Sequence, residues 1–407
     1  MANEQLADPF APGFTDDPYP RYAALREAAP VYQHPLGFWM LSRYDDVSQL
    51  LRAPLSVDDR NVAEGPLTQL ISASYYDDQH TARGLARGLA LVFKDPPDHT
   101  RLRRLVSKAF TARAVEALAQ RITERVDLLL DEVAAAGKAD LVQAFAFPLP
   151  FTVIVDMLGT PPVDHARIRE LTGLVNQALE PVPDPGVGEA ISAANAEMAD
   201  IAADMIAWKR KNPADDLLTS LIQAKDDGDV LTDEELITET LELYAAGHVS
   251  MVNLIAAGTL ALLQHRDQFD LLRDDPALAD GAVDELLRYV SPVQMTRRIT
   301  LQPLTIRGVT IPAGAFVLAS LASANRDEDF WGEDASQLRI TRGNAGQHVS
   351  FSAGSHHCLG ASLARLEGAI ALRRLAARFP GLTLDGEATW NGQMNLRGLQ
   401  RLPVAVR

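Results

Sequence analysis

The chain holds a single cysteine, Cys358, in the segment Phe351-Ser352-Ala353-Gly354-Ser355-His356-His357-Cys358-Leu359-Gly360. A lone thiol is a small buried hydrophobe, a nucleophile, or the one thiolate ligand of something large. Gly354 and Gly360 permit tight turns and close backbone approach to a flat ligand. The cysteine precedes a helix expected to begin near Ala361, and the free N–H groups there favour a thiolate over a thiol of pKa about 8.5. Phe351 would shield the sulfur from water. Together these residues describe an anionic sulfur in a dry loop, with a buried structural cysteine as the bland alternative.

One cysteine excludes an intramolecular disulfide, and with it zinc fingers and iron–sulfur clusters held by several thiolates. A zinc site from His356, His357 and Cys358 would be strained, because neighbours in sequence cannot easily complete a tetrahedron. A cysteine hydrolase is disfavoured too, since His357 cannot fold back onto its neighbour's sulfur. Lys+Arg 38 against Asp+Glu 54 leaves a net charge of −16, which repels nucleic-acid phosphates and anionic lipid. The N-terminal residues show neither a basic region nor an apolar run, and no stretch of about 18 apolar residues reads as a membrane span. The expectation is a cytoplasmic protein that binds no nucleic acid and no membrane.

The elements that must position this loop are mainly helical. Residues 112–136 recur as apolar at three- and four-residue steps, and 164–180, 189–212 and 214–225 read likewise. The segment 232–266 is the longest: Thr232 with Glu235 forms a capping-box pattern, and beyond Leu241 it is apolar over most of its circumference, which argues for burial. Strand signals are few. Val31, Tyr32 and residues 38–41 flank a Pro35-Leu36-Gly37 turn; 299–319 alternate around two further turns; 382–384 and 404–406 make another pair; Val349 also reads as extended. Pro181-Val182-Pro183-Asp184-Pro185-Gly186 breaks two helices. No repeat or linker divides residues 1–407, so one mainly α domain with a small β region is expected although 407 residues could make two or three.

The spacing Phe-x-x-Gly-x-His-x-Cys-x-Gly, followed by Ala361-Ser362-Leu363-Ala364-Arg365, closely resembles the haem-thiolate signature of the cytochrome P450 family. Three distant segments extend the resemblance over nearly the whole chain. Glu285-Leu286-Leu287-Arg288 is similar to the family's Glu-x-x-Arg pair, with Arg342 as candidate third member of a structural lock. Asp95-Pro96-Pro97-Asp98-His99-Thr100-Arg101-Leu102-Arg103 resembles the start of the helix that meets the haem propionates. Ala245-Ala246-Gly247-His248-Val249-Ser250 resembles the kinked oxygen-binding stretch of the long helix.

The resemblance implies the P450 fold, with haem b (iron-protoporphyrin IX) between that long helix and the loop, its iron tied to Cys358. His99, Arg103, Arg297 and His356 would hold the propionates, with Phe351, Gly354 and Gly360 shaping the loop against the ring. Ala246, Gly247 and Ser250 would face bound O2. Leu243, Ala246, residues 293–296 (Val293, Met295 and Thr296 among them), Met394 within 393–395, and the loop from about 61 to 91 with Tyr75 and Tyr76 would line the substrate pocket, under a lid joined through 181–188. Electrons would come from a ferredoxin or flavodoxin with its reductase, docking on a basic patch drawn from Arg103, Arg104, Lys108 and Arg365, while Arg101 and Arg104 read as a solvated face. The implied reaction is hydroxylation of a small organic substrate of the secondary-metabolite kind, using O2. One departure qualifies this: Val249-Ser250 stands where most members have an acid and threonine. Ser250 keeps a hydroxyl, so hydroxylation is the first reading; phenol or aryl coupling, or another radical oxidation, is the alternative, and a haem-thiolate sensor the non-enzymatic one. His248 is expected to face away from the haem, and Ser352, where glycine is frequent, to be tolerated.

Overall fold

The computed structural model describes residues 13–65, 90–161, 164–180, 187–226 and 228–406. Ten elements frame the site: β1 (Val31–Gln33), β2 (Trp39–Leu41), α1 (Tyr44–Arg52), α2 (Asp98–Ala109), α3 (Pro148–Leu158), α4 (Asp233–Gln264), α5 (Ala279–Val290), β3 (Met295–Ile299), β4 (Phe316–Ser320) and α6 (Ala361–Arg378).

The long helix α4 starts where its cap predicts. The Thr232 hydroxyl accepts the Glu235 N–H at 3.1 Å and the Glu235 carboxylate accepts the Thr232 N–H at 2.9 Å. Its 32 residues span about 50 Å at 1.5 Å per residue. Residues 251–262 are buried on every side, packed against α3, α5, α6 and the helix Gly188–Lys211. Among the described residues α4 is the one helix long and apolar enough to cross a membrane, yet 72% of its apolar window is buried inside the fold. Its composition therefore answers to the core around it, formed with Leu149, Ile154, Leu286 and Leu372.

The β region packs beside this helical body. Its main sheet has the order β1-β2-β4-β3, with β1–β2 and β4–β3 antiparallel and β2–β4 parallel. Arg297 pairs with Leu318 and Arg298 with Val317, so the two arginines project from opposite faces of β3. Thr383–Leu384 pairs with Pro403–Ala405 as expected, and Lys138–Asp140 adds a third strand that no sequence pattern announced. Two expectations change. The periodic stretch 112–136 divides into Ala112–Glu116 and Ala119–Ala136, since periodicity does not register a break in the backbone ladder. Val349 joins no strand; its N–H donates to the Asn325 side chain at 2.9 Å.

Candidate active site

The cysteine loop is shaped by backbone turns. Cys358 N–H donates to the Phe351 carbonyl at 2.9 Å, Ser352 N–H to Val349 at 2.8 Å, and His357 N–H to Gly354 at 3.2 Å. Ser352 sits at φ 59° and Gly354 at φ 71°. The left-handed region is open to glycine and costs other residues about 1–2 kcal/mol, which explains why glycine suits position 352 better than serine. Gly354 is needed for another reason than the one expected. A Cβ there would lie 2.6 Å from the Leu51 carbonyl at the end of α1, so its close approach is to protein backbone, and it does not line the cavity beside the cysteine. Gly360 does line that cavity, and nothing lies within 4 Å of where its Cβ would be.

That cavity, about 420 Å³, runs from the cysteine loop to α4. Cys358 is exposed to it while lying deep in the protein. Burial pushes the thiol up, and the Gly360 N–H with the charges of Arg103 and Arg365 offsets this incompletely. Burial thus opposes ionisation of the sulfur, while the helix start and the two arginines favour it. Arg365 covers the Phe351 ring at 4.8 Å from its centroid.

The opposite wall carries Leu243, Ala246, Gly247, Val249 and Ser250. Val293, Met295 and Thr296 line the cavity as expected. Met394 does not: it is buried against Phe14, Met295 and Phe316, and its neighbours Asn395 and Leu396 line the cavity instead. Leu91 reaches the cavity, but Tyr75, Tyr76 and most of the 61–91 loop, like residues 181–186 of the lid connection, lie outside the described residues. The helical run of α4 continues through Gly247; a Cβ there would meet Ile154 Cδ1 at 2.4 Å, which makes close packing on α3 one reason for the glycine. The Ser250 hydroxyl donates to the Ala246 carbonyl at 3.5 Å. His248 points away, its Nδ1 2.6 Å from the Tyr244 carbonyl and its ring edge-on to Phe147 and Phe151.

Basic groups converge on the side of the cavity between α2, β3 and the cysteine loop. The His99 and His356 rings lie with centroids 4.1 Å apart and planes tilted by 39°, and the buried His99 Nε2 has no hydrogen-bond partner. Burial, then Arg103, holds His99 below its ordinary range; burial, then His99, Arg298 and Arg103, pushes His356 down to about 3. Arg103 donates to the His357 carbonyl at 2.6 Å. Arg297 pairs with Asp59 at 3.0 Å and lies over Phe93. The sequence reading missed Arg298. It is 2% exposed, donates to the Ser352 hydroxyl at 3.3 Å, and is lowered to about 10 by burial. The signal was present in the Arg297-Arg298 doublet, since strand alternation turns only one of the pair to each face. An orphaned buried nitrogen, a crowd of mutually depressed bases, open space over Gly360 and a cysteine at its floor fit a flat group carrying a metal and two carboxylates.

A buried ion network braces this loop from behind. Arg288 Nε and a terminal nitrogen donate to the two Glu285 oxygens at 2.7 and 2.8 Å, and Arg342 Nε lies 3.2 and 3.1 Å from them. Arg288 also donates to the Asn325, Ala335 and Gln337 carbonyls. Asn325 in turn holds Ser350 and Val349. The three residues predicted as a lock thus meet, and two hydrogen bonds through Asn325 link them to Val349 and Ser350, which lead into the cysteine loop.

A mainly helical fold that sets a lone cysteine and a basic recess opposite a long core helix is that of a haem-thiolate oxygenase. The family model described as Cytochrome P450 matches residues 187–403. The chain is 41% identical over 405 residues to cytochrome P450 107B1 of Saccharopolyspora erythraea, covering 97% of this chain and 96% of that one. It is 40% identical over 408 residues to vitamin D(3) 25-hydroxylase of Pseudonocardia autotrophica, covering 98% and 96%. The solved cytochrome P450 PksS of the Bacillus subtilis bacillaene polyketide synthase superposes with a TM-score of 0.86 at 35% identity, covering 98% and 99%. The chain belongs to the cytochrome P450 family; it is an oxidoreductase with haem b as cofactor.

Proposed function

We propose that this enzyme hydroxylates a mainly apolar organic substrate, of the secondary-metabolite kind, held between Cys358 and α4. The observation that carries the reading is that one and the same cavity is bounded by Cys358 on one side and by Ala246 and Ser250 on the other. Haem b bound through the Cys358 thiolate supplies O2 activation and transfer of one oxygen atom. His99, Arg103, Arg298 and His356 would hold its carboxylates, with Arg297, which lines the same cavity and pairs with Asp59, beside them, while Phe351 and Arg365 keep water from the sulfur. Ser250 holds a proton at Oγ within the cavity, and the absence of a carboxylate at Val249 leaves that hydroxyl as the local donor. Leu243, Val293, Met295 and Thr296 contact the substrate.

The electrons come, in this reading, from a ferredoxin or flavodoxin with its reductase in the cytoplasm. Arg103, Arg104, Ser107 and Lys108 border a surface recess on the cysteine side, and docking there must compete with Asp226, which pairs with Arg104 at 3.0 Å and Lys108 at 2.7 Å. Arg101 is no free surface charge, being paired with Asp229 and Glu235. Arg365 is paired with Asp284 of α5 at 2.7 Å and lies over the Phe351 ring of the loop, so its charge is already engaged.

Turnover with a surrogate ferredoxin pair tests the reading. Compounds that shift the haem from low to high spin are incubated with reductant, and hydroxylated product is expected per electron pair consumed. Ser250→Ala is expected to lower product per electron pair several-fold while leaving substrate affinity within twofold. Coupled dimers without oxygen insertion, or full coupling in Ser250→Ala, would overturn it.

A further inference from the structure

Two carboxyl groups on α4 take no part in the reading above. Glu239 and Glu242 lie one turn apart on the helix face that lines the cavity. Glu239 is 2% exposed, and its Oε1 accepts the Leu91 N–H at 3.0 Å. Glu242 faces the Leu91 and Val92 N–H groups from deep in the protein, and its Oε2 is buried with no hydrogen-bond partner. Among the described residues neither carboxylate has a lysine or arginine within ion-pair distance. Arg103 is the cation whose field reaches Glu242, but it donates to the His357 carbonyl instead.

Burial and the proximity of Glu242 raise Glu239 well above the carboxylate range, and burial raises Glu242 to about 7. Two buried carboxyls cost free energy that two backbone N–H groups offset only in part. A cation delivered into the cavity supplies what is missing, because it lets Glu242 ionise against a charge-assisted partner in a low-dielectric site.

We propose that Glu242, supported by Glu239, recognises a cationic group on the substrate, a protonated tertiary amine or quaternary ammonium. The assignment rests on the cavity being the substrate chamber. It also sets where oxidation falls. Ala246 is four residues along α4 from Glu242 and Ser250 eight, about 6 and 12 Å at 1.5 Å per residue. The oxidised carbon therefore lies about one to two helical turns from the bound nitrogen.

The test uses the haem-loaded enzyme and two probes of one shape: 4-phenylbutyltrimethylammonium, which cannot ligate iron, and its neutral isostere with carbon in place of nitrogen. Binding is read from the spin-state shift and checked by equilibrium dialysis. The wild type is expected to bind the ammonium at least tenfold more tightly. Glu242→Gln and Glu242→Leu should each abolish that preference, and Glu239→Gln should reduce it several-fold. The ferrous–CO spectrum is recorded on every sample. If a thiolate spectrum is absent, the chamber itself has been misassigned. If that spectrum is intact and the wild type binds both probes equally, or neither, or if the preference survives in Glu242→Gln, the cation site is overturned.

Discussion

The Leu51 carbonyl oxygen at the end of α1 lies 2.6 Å from the point a Cβ on Gly354 would occupy. The cysteine loop is thus pinned from outside by the backbone of a helix more than 300 residues upstream in sequence. Gly354→Ala must move one backbone or the other and also adopt φ 71°. We expect a loss of about 3 kcal/mol, combining the left-handed cost with displacement of the turn. Denaturant unfolding of the apoprotein measures it, and the ferrous–CO spectrum of the loaded variant should show a reduced thiolate fraction. An unchanged midpoint and spectrum would mean that the loop yields freely.

Glu285 is wholly buried and meets two arginines, so Glu285→Gln leaves Arg288 and Arg342 sharing no buried counter-charge from α5. Breaking such a network by removing one partner costs about 3–5 kcal/mol. The expected result is a lower unfolding midpoint and poor haem incorporation at 37 °C. Arg342→Ala should cost less, because the bidentate Arg288–Glu285 pair survives it. A ranking in the opposite order would refute the view that Arg288 is the principal partner.

Much of this was readable from local pattern. The Thr232 cap, the β1–β2 hairpin and the spacing around Cys358 each carry their signal within a few residues, and the structure keeps them. What escaped the sequence depends on partners far away. Gly354 looked like a ligand-facing glycine until Leu51 arrived beside it, and Met394 looked like pocket lining until the β-region core claimed it. Glu242 reads as one acidic residue among many in a helix; only the cavity shows that its oxygen lacks a partner. Likewise, the thiolate expected at Cys358 from a helix start is a local inference, while the burial that opposes it is a property of the whole fold.

His248 ties acid stability to burial. Its Nδ1 donates to the Tyr244 carbonyl at 2.6 Å, and burial, with Arg169 adding, pushes its pKa from 6.5 down to about 4. Below pH 6.5 the unfolded chain takes up a proton that the native state refuses until about pH 4. Stability therefore falls as pH drops through that window and is fully present above it, by on the order of 3 kcal/mol at its end. His248→Gln, which keeps a donor for the carbonyl, should flatten the acid limb of unfolding free energy against pH by one proton. An identical limb in wild type and variant would exclude His248 as its source.

Arg297 and Arg298 leave the same strand toward different surroundings, and haem retention should tell them apart. Arg297 already has Asp59 at 3.0 Å, so its charge is largely spent inside the protein. Arg298 is buried beside Ser352 and His356 with only distant help from Asp95, and burial lowers it to about 10. A carboxylate of the cofactor gives Arg298 the counter-charge it lacks, and the attraction is strong where both are desolvated. Arg298→Ala is accordingly expected to speed haem transfer to apomyoglobin at least tenfold, about 1.4 kcal/mol or more. Arg297→Ala should change it less than threefold, because its loss chiefly frees Asp59. If the two variants released haem equally, or Arg297→Ala the faster, the carboxylate contact would belong to the residue whose position in the chain first suggested it, and the depressed basicity of Arg298 would reflect burial alone.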